Sequence, residues 1–153
     1  MNQNQKQKRY ERIINQLNEF FKVTDDPICR MATASSLLYH KMGHFFWLGF
    51  YRLIDGQLLV GPYQGAIACQ KLEKDTGVCW ACLNQQKSII VSDVEKFPGH
   101  IACDARSKSE VVIPVCDKDG AIVAIFDADS DKLNAYDEID ELNLQAISDM
   151  IYA

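Results

Sequence analysis

Apolar residues recur at Ile13, Ile14, Leu17, Phe20 and Phe21 across residues 10 to 22, a three- and four-residue spacing that predicts an amphipathic helix with one buried stripe. A second helix is predicted to start at Asp26-Pro27. Asp26 can cap it, Pro27 suits the first helical position, and a mostly apolar body over residues 29 to 42 runs up to Gly43. The pattern then changes from a helical to an alternating period. Residues 45 to 54 and 57 to 61 read as two strands joined by a tight turn at Asp55-Gly56. An irregular stretch over 62 to 76 precedes a short helix over 78 to 86 and a strand over 88 to 91. Beyond a loop over 92 to 109, residues 110 to 116 and 121 to 128 predict a second hairpin around Asp117-Lys118-Asp119-Gly120. Ile139, Leu142, Ile147 and Met150 predict a closing helix over 136 to 151.

This order predicts one α+β domain over residues 1 to 153, a mainly antiparallel sheet covered by helices, in the layout of GAF-like or PAS-like folds. Its parts are a helical region over about 8 to 42, a sheet with its active-site loops over about 45 to 130, and the C-terminal helix. A chain of 153 residues suffices for one well-buried core and is short for two. The net charge of −5 offers no general attraction to nucleic acid or to an anionic membrane, so neither is expected as a partner. The first ten residues are polar with no apolar run behind them, and the chain is expected to be cytoplasmic. In a reducing compartment, its six cysteines point to catalytic or metal roles ahead of a disulfide scaffold.

Three groups of residues could carry chemistry. Cys103 follows the turn Phe97-Pro98-Gly99 and precedes Arg106 and Lys108, a loop setting with local positive charge that favours a thiolate; burial as a structural cysteine is the alternative. On the first strand Trp47, Gly49 and Tyr51 share one face, with Phe46, Leu48 and Phe50 opposite. A glycine between two rings leaves an aromatic-walled gap for a small apolar group, unless the face is plain core packing. Asp127 and Asp129 also share a face, with Phe126 and Ala128 opposite, so they either sit in water or hold a cation such as an amino group between them. Glu110, at the start of the neighbouring strand, adds a third carboxylate.

From Cys69 onward the spacing is C-x9-C-x2-C-x20-C-x12-C. Only Cys79-Trp80-Ala81-Cys82 forms a close pair, one short of a structural zinc site, and no metal is expected. Cys79 stands near a predicted helix start, which would lower its pKa.

Several segments together resemble the free methionine-(R)-sulfoxide reductases, a GAF-fold family. They are Trp47-Leu48-Gly49-Phe50-Tyr51, Gly61-Pro62-Tyr63-Gln64-Gly65 running into Ile67-Ala68-Cys69, Thr76-Gly77-Val78-Cys79, Phe97-Pro98-Gly99-His100-Ile101-Ala102-Cys103-Asp104-Ala105, Ser109-Glu110-Val111-Val112-Ile113-Pro114, and Asp127-Ala128-Asp129-Ser130. The resemblance implies reduction of free L-methionine-(R)-sulfoxide, with Cys103 attacking the sulfoxide sulfur and becoming a sulfenic acid. Cys69 would resolve it as a Cys69–Cys103 disulfide, which thioredoxin or a similar dithiol would reduce, with Cys79 taking part in a second exchange. No metal or organic cofactor is implied; homodimerisation through the N-terminal helices is, although the apolar residues of 10 to 42 could equally cover the sheet.

Protonation of the sulfoxide oxygen calls for a carboxylic acid, for which Glu110 is the first candidate and Asp127 and Asp129 are alternatives. The remaining acids would hold the substrate ammonium, and Trp47 and Tyr51 would enclose its S-methyl group. Two positions depart from the family pattern. Trp80 replaces a small residue after Cys79 and brings an extra thiol at Cys82, so a Cys79–Cys82 disulfide relay is a further expectation; Ala128 replaces a larger aliphatic residue. Readings of another class are a non-catalytic GAF module that binds a small ligand and a peroxide-responsive thiol sensor.

Overall fold

The computed structural model describes residues 1 to 100 and 104 to 153. Helix α1 (Gln3–Phe20) starts seven residues before the predicted position of 10, because Asn2 and Gln5 form a reciprocal capping box whose polar first turn carries no apolar period. Helix α2 (Pro27–Lys41) has the expected start: the Asp26 side chain accepts from the Cys29 amide at 2.9 Å, and Pro27 opens the helix. Met42 caps its C-terminus, one residue before Gly43.

Strands β1 (Trp47–Ile54) and β2 (Gln57–Gln64) form a hairpin whose turn residues Asp55 and Gly56 both have positive φ, 50° and 74°. β2 runs three residues beyond the predicted end at 61, through Pro62. It is an edge strand of the sheet, where a missing amide donor is tolerated. Helix α3 (Gly77–Gln85), strand β3 (Ile89–Val91) and a 3₁₀ turn (Val94–Lys96) lead to the hairpin of β4 (Ser109–Cys116) and β5 (Ile122–Ser130), and α4 (Glu138–Met150) closes the fold. The five strands pair antiparallel throughout in the order β2-β1-β5-β4-β3, as the α+β reading predicts.

Strand alternation gives the sheet two different sides. Leu48, Phe50, Val111, Ile113, Phe126 and Ala128 face a core built with Tyr10, Ile13, Leu17, Met31, Ala34, Leu38 and Leu144 of α1, α2 and α4. The apolar stripes of the N-terminal helices therefore cover the sheet. On the other side Trp47, Tyr51, Val112 and Ile125 pack with Leu58, Val78, Cys79, Trp80 and Cys82 into a second cluster under α3. Among the described residues, no helix is long and apolar enough to cross a membrane.

One charged cluster ties the helical layer together. Asp140 of α4 is fully buried and is met by Lys6 Nζ at 2.6 Å, Tyr10 Oη at 2.7 Å and a ring nitrogen of His44 at 2.9 Å. Burial alone would raise its carboxyl, but the hydrogen bonds from His44, Lys6 and Tyr10 outweigh that and hold it well below the usual range.

Candidate active site

Cross-strand register builds the floor of the α3 side. Trp47 pairs with Asp129 and Asp129 with Glu110, forming one row across β1, β5 and β4; Gly49, Asp127 and Val112 form the next row. Partners in register share a face, so three carboxylates and an indole converge although Trp47 and Asp129 stand far apart in sequence. Residues 66 to 69, 71 to 73, the start of α3, His100, Asp104 and Ser107 complete a cavity of about 280 Å³ above them, near the small end of ligand pockets. Trp47, Tyr51, Cys69, Cys79, Glu110, Asp127 and Asp129 all line this cavity. Cys103 lies outside the described residues.

The aromatic wall differs from the expected gap. A Cβ on Gly49 would fall 2.3 Å from Tyr63 Cβ, so the space beside this glycine is occupied by β2, whose close approach requires the missing side chain. Tyr63 and Tyr51 both stack on Trp47, with ring centroids 5.4 and 6.1 Å away. Phe46 also lines the cavity instead of facing away with Leu48 and Phe50. It precedes the first β1 residue, where strand alternation has not begun, and the Arg106 guanidinium lies 5.4 Å from its ring centroid.

The three carboxylates are not solvated charges at a sheet end. Glu110 and Asp127 are buried at 5% and 6% exposure, and Asp129 is half-buried with its Oδ1 accepting from Ser107 Oγ at 2.8 Å. Among the described residues no lysine or arginine pairs with any of them, and Asp127 Oδ1 has no hydrogen-bond partner. Burial, then the charges of Asp127 and Asp129, pushes Glu110 well up; burial, then Asp127, does the same to Asp129. Burial also raises Asp127, but hydrogen bonds from Glu110 and Cys79 oppose the rise. The arrangement favours a protonated Glu110 beside an ionised Asp127.

Cys79 overturns the helix-start expectation. Burial, followed by the charges of Asp127, Glu110 and Asp129, pushes its thiol well up and outweighs the dipole of α3. Its Sγ lies within 4.8 Å of carboxylate oxygens of Glu110 and Asp127. Cys82 is fully buried away from the cavity and pushed up to about 12, chiefly by desolvation. Both thiols of this CxxC are thus held neutral, the opposite of a primed redox pair.

Sequence reasoning had not singled out His100 or Ser107. His100 Nδ1 lies 4.0 Å from Glu110 Oε2, its Nε2 is buried with no hydrogen-bond partner among the described residues, and burial lowers its pKa. The first turn of α3 also opens onto the cavity through Thr76, Gly77 and Val78, and the Thr76 side chain makes no capping bond to it.

The GAF domain family matches residues 36–151. Free methionine-R-sulfoxide reductase from Escherichia coli is 38% identical over 120 residues, covering 78% of this chain and 72% of that protein. The chain belongs to that family of GAF domains. The free methionine-R-sulfoxide reductase of Saccharomyces cerevisiae shares 35% identity over 131 residues, covering 81% of this chain and 73% of that one. The family resemblance extends to the backbone: the enzyme from Neisseria meningitidis in complex with its substrate superposes with a TM-score of 0.87 at 31% identity, over 94% of this chain and 86% of that one.

Proposed function

We propose that this reductase-family domain reduces free L-methionine-(R)-sulfoxide to methionine with thiol electrons. The observation that carries the reading is the carboxylate cluster: Asp127, 6% exposed and with Oδ1 unpartnered among the described residues, stands beside Glu110 and Asp129 with no lysine or arginine of the described residues paired to any of the three. A buried negative charge left unpaired by the fold is costly until a ligand cation reaches it. The ammonium of a free amino acid supplies that cation, whereas a methionine inside a peptide does not. The opening turn of α3, with its unpaired amides, suits the carboxylate end of the same ligand.

In this reading the sulfoxide sulfur is held near Trp47 and Tyr51. Cys103 attacks that sulfur while Glu110, kept protonated by its neighbours, donates to the sulfoxide oxygen. Oxygen passes to Cys103 as a sulfenic acid and methionine is released. Cys69, on the cavity wall, displaces water to form a disulfide, and a dithiol such as thioredoxin returns both thiols while being oxidised itself. Raised thiol pKa values leave Cys79 as a hydrogen-bond donor to Asp127 in preference to an exchanging thiol.

The deciding experiment follows turnover of free (R) and (S) sulfoxides and of a peptide-bound sulfoxide, with dithiothreitol or thioredoxin. Activity on the free (R) epimer alone, lost in Cys103→Ser, is the expected result. Equal activity on the peptide, or binding of methionine without turnover by reduced protein, would overturn it.

A further inference from the structure

The donor atoms at the cavity floor form a set that an ammonium ligand does not exhaust. Cys79 Sγ, a Glu110 oxygen and an Asp127 oxygen come from α3, β4 and β5 and lie within 4.8 Å of one another, all buried. Ligands on one tetrahedral zinc ion stand roughly 3.5 Å apart, from bonds of about 2.0 to 2.3 Å, so small side-chain rotations bring these donors into range. Asp127 Oδ1 is buried and has no hydrogen-bond partner among the described residues. His100 stands at the edge of the set, 4.0 Å from Glu110, with its Nε2 also unpartnered among the described residues.

We propose that this floor is a site for a thiophilic divalent cation, zinc or cadmium, held by Cys79, Glu110 and Asp127 with His100 as fourth ligand, and that the ion excludes the amino acid. One sulfur donor among carboxylates selects such metals over magnesium or calcium. The metal takes the place of the Cys79 thiol proton, which leaves to solvent. Exclusion follows from Asp127, which cannot face both an ammonium and a metal. The exclusion rests on the amino-acid reading of the cavity; cation binding does not.

The test uses protein reduced with a phosphine, in a Cys29→Ser/Cys69→Ser/Cys103→Ser background that removes competing thiols. Cadmium titration should give one ion per chain with a single thiolate-to-metal absorption band, and zinc affinity is read against a chromophoric chelator. Cys79→Ser should remove the band, Asp127→Asn should weaken zinc by about tenfold or more, and Cys116→Ser should change neither. Millimolar L-methionine should displace zinc from this background, with Cys79, Glu110, Asp127 and His100 unchanged. A band unchanged by Cys79→Ser, or zinc affinity unchanged by Asp127→Asn, would overturn the site. If Cys79→Ser fails to fold, Asp127→Asn and methionine competition still decide. Zinc bound at these residues in the background, with no sulfoxide turnover by the reduced wild-type protein, would sink the proposed function and leave the site standing.

Discussion

Asp140 in the helical layer and Asp127 on the opposite side of the sheet are both buried aspartates, and they differ in company. Asp140 has a lysine, a tyrosine hydroxyl and a histidine within 3 Å. Asp127 has two other acids, a neutral thiol and one oxygen with no partner. Asp140 is satisfied by the fold itself, so its charge belongs to stability. Asp127 is met by Glu110 and Cys79 but by no lysine or arginine among the described residues, so in the proposed function its charge serves recognition, and the resting protein bears the cost.

Substitutions should separate the two along that line. Glu110→Gln, which keeps shape and removes the acid, should lower kcat for the sulfoxide by about 10²–10⁴-fold while the variant melts no lower than wild type. Comparable loss of activity and of melting temperature would erase the distinction. Asp140→Ala leaves the Tyr10 hydroxyl without its acceptor and Lys6 with Asp137 alone, at 2.9 Å, and should cost about 3 kcal/mol in urea unfolding, with turnover per folded molecule nearly unchanged. Asp127→Asn should weaken L-methionine binding by about 1.5–3 kcal/mol in calorimetry, the worth of a hydrogen bond to a charged group.

The smallest effect is in pH dependence, and its sign differs between the sites. Asp140 is depressed in the folded state, so its contribution is present above the ordinary carboxylate pKa and is lost as pH falls through the folded value. Asp129 is raised, so its ionisation removes stability as pH rises through its folded pKa. Asp129→Asn should therefore melt higher than wild type in mildly alkaline buffer and equal to it in acid. A gain in acid instead would reverse the assignment.

The sequence shows each half of these sites more readily than their meeting. Alternation along β5 is enough to put Asp127 and Asp129 on one face, and Asp26-Pro27 is enough to start α2. The row from Trp47 through Asp129 to Glu110 depends on the register of two strand pairs, which no local pattern encodes. Cys79 misled for the same reason: its helix start is local, while the acids that keep it protonated arrive from β4 and β5. The Gly49 gap was filled by Tyr63 from the paired strand. Lys6 and Asp140 stand 134 residues apart, and only the packing of α1 on α4 joins them.

Trp47 also acts on the segment that carries Cys69. Its Nε1 donates to Ala66 O at 3.0 Å, and Gly65, at φ 122°, lies so close that a Cβ there would meet Trp47 Cδ1 at 2.7 Å. The indole is thus a peg that fixes where the chain leaves β2, only a few residues before the thiol proposed to resolve the sulfenic acid. Restricting that segment raises the local concentration of one sulfur near another. In the proposed mechanism the peg would shorten the time in which an oxidised cysteine waits for its partner, the interval that decides between a reversible disulfide and irreversible over-oxidation. A tryptophan proposed to contact substrate would then also set how many turnovers the enzyme survives.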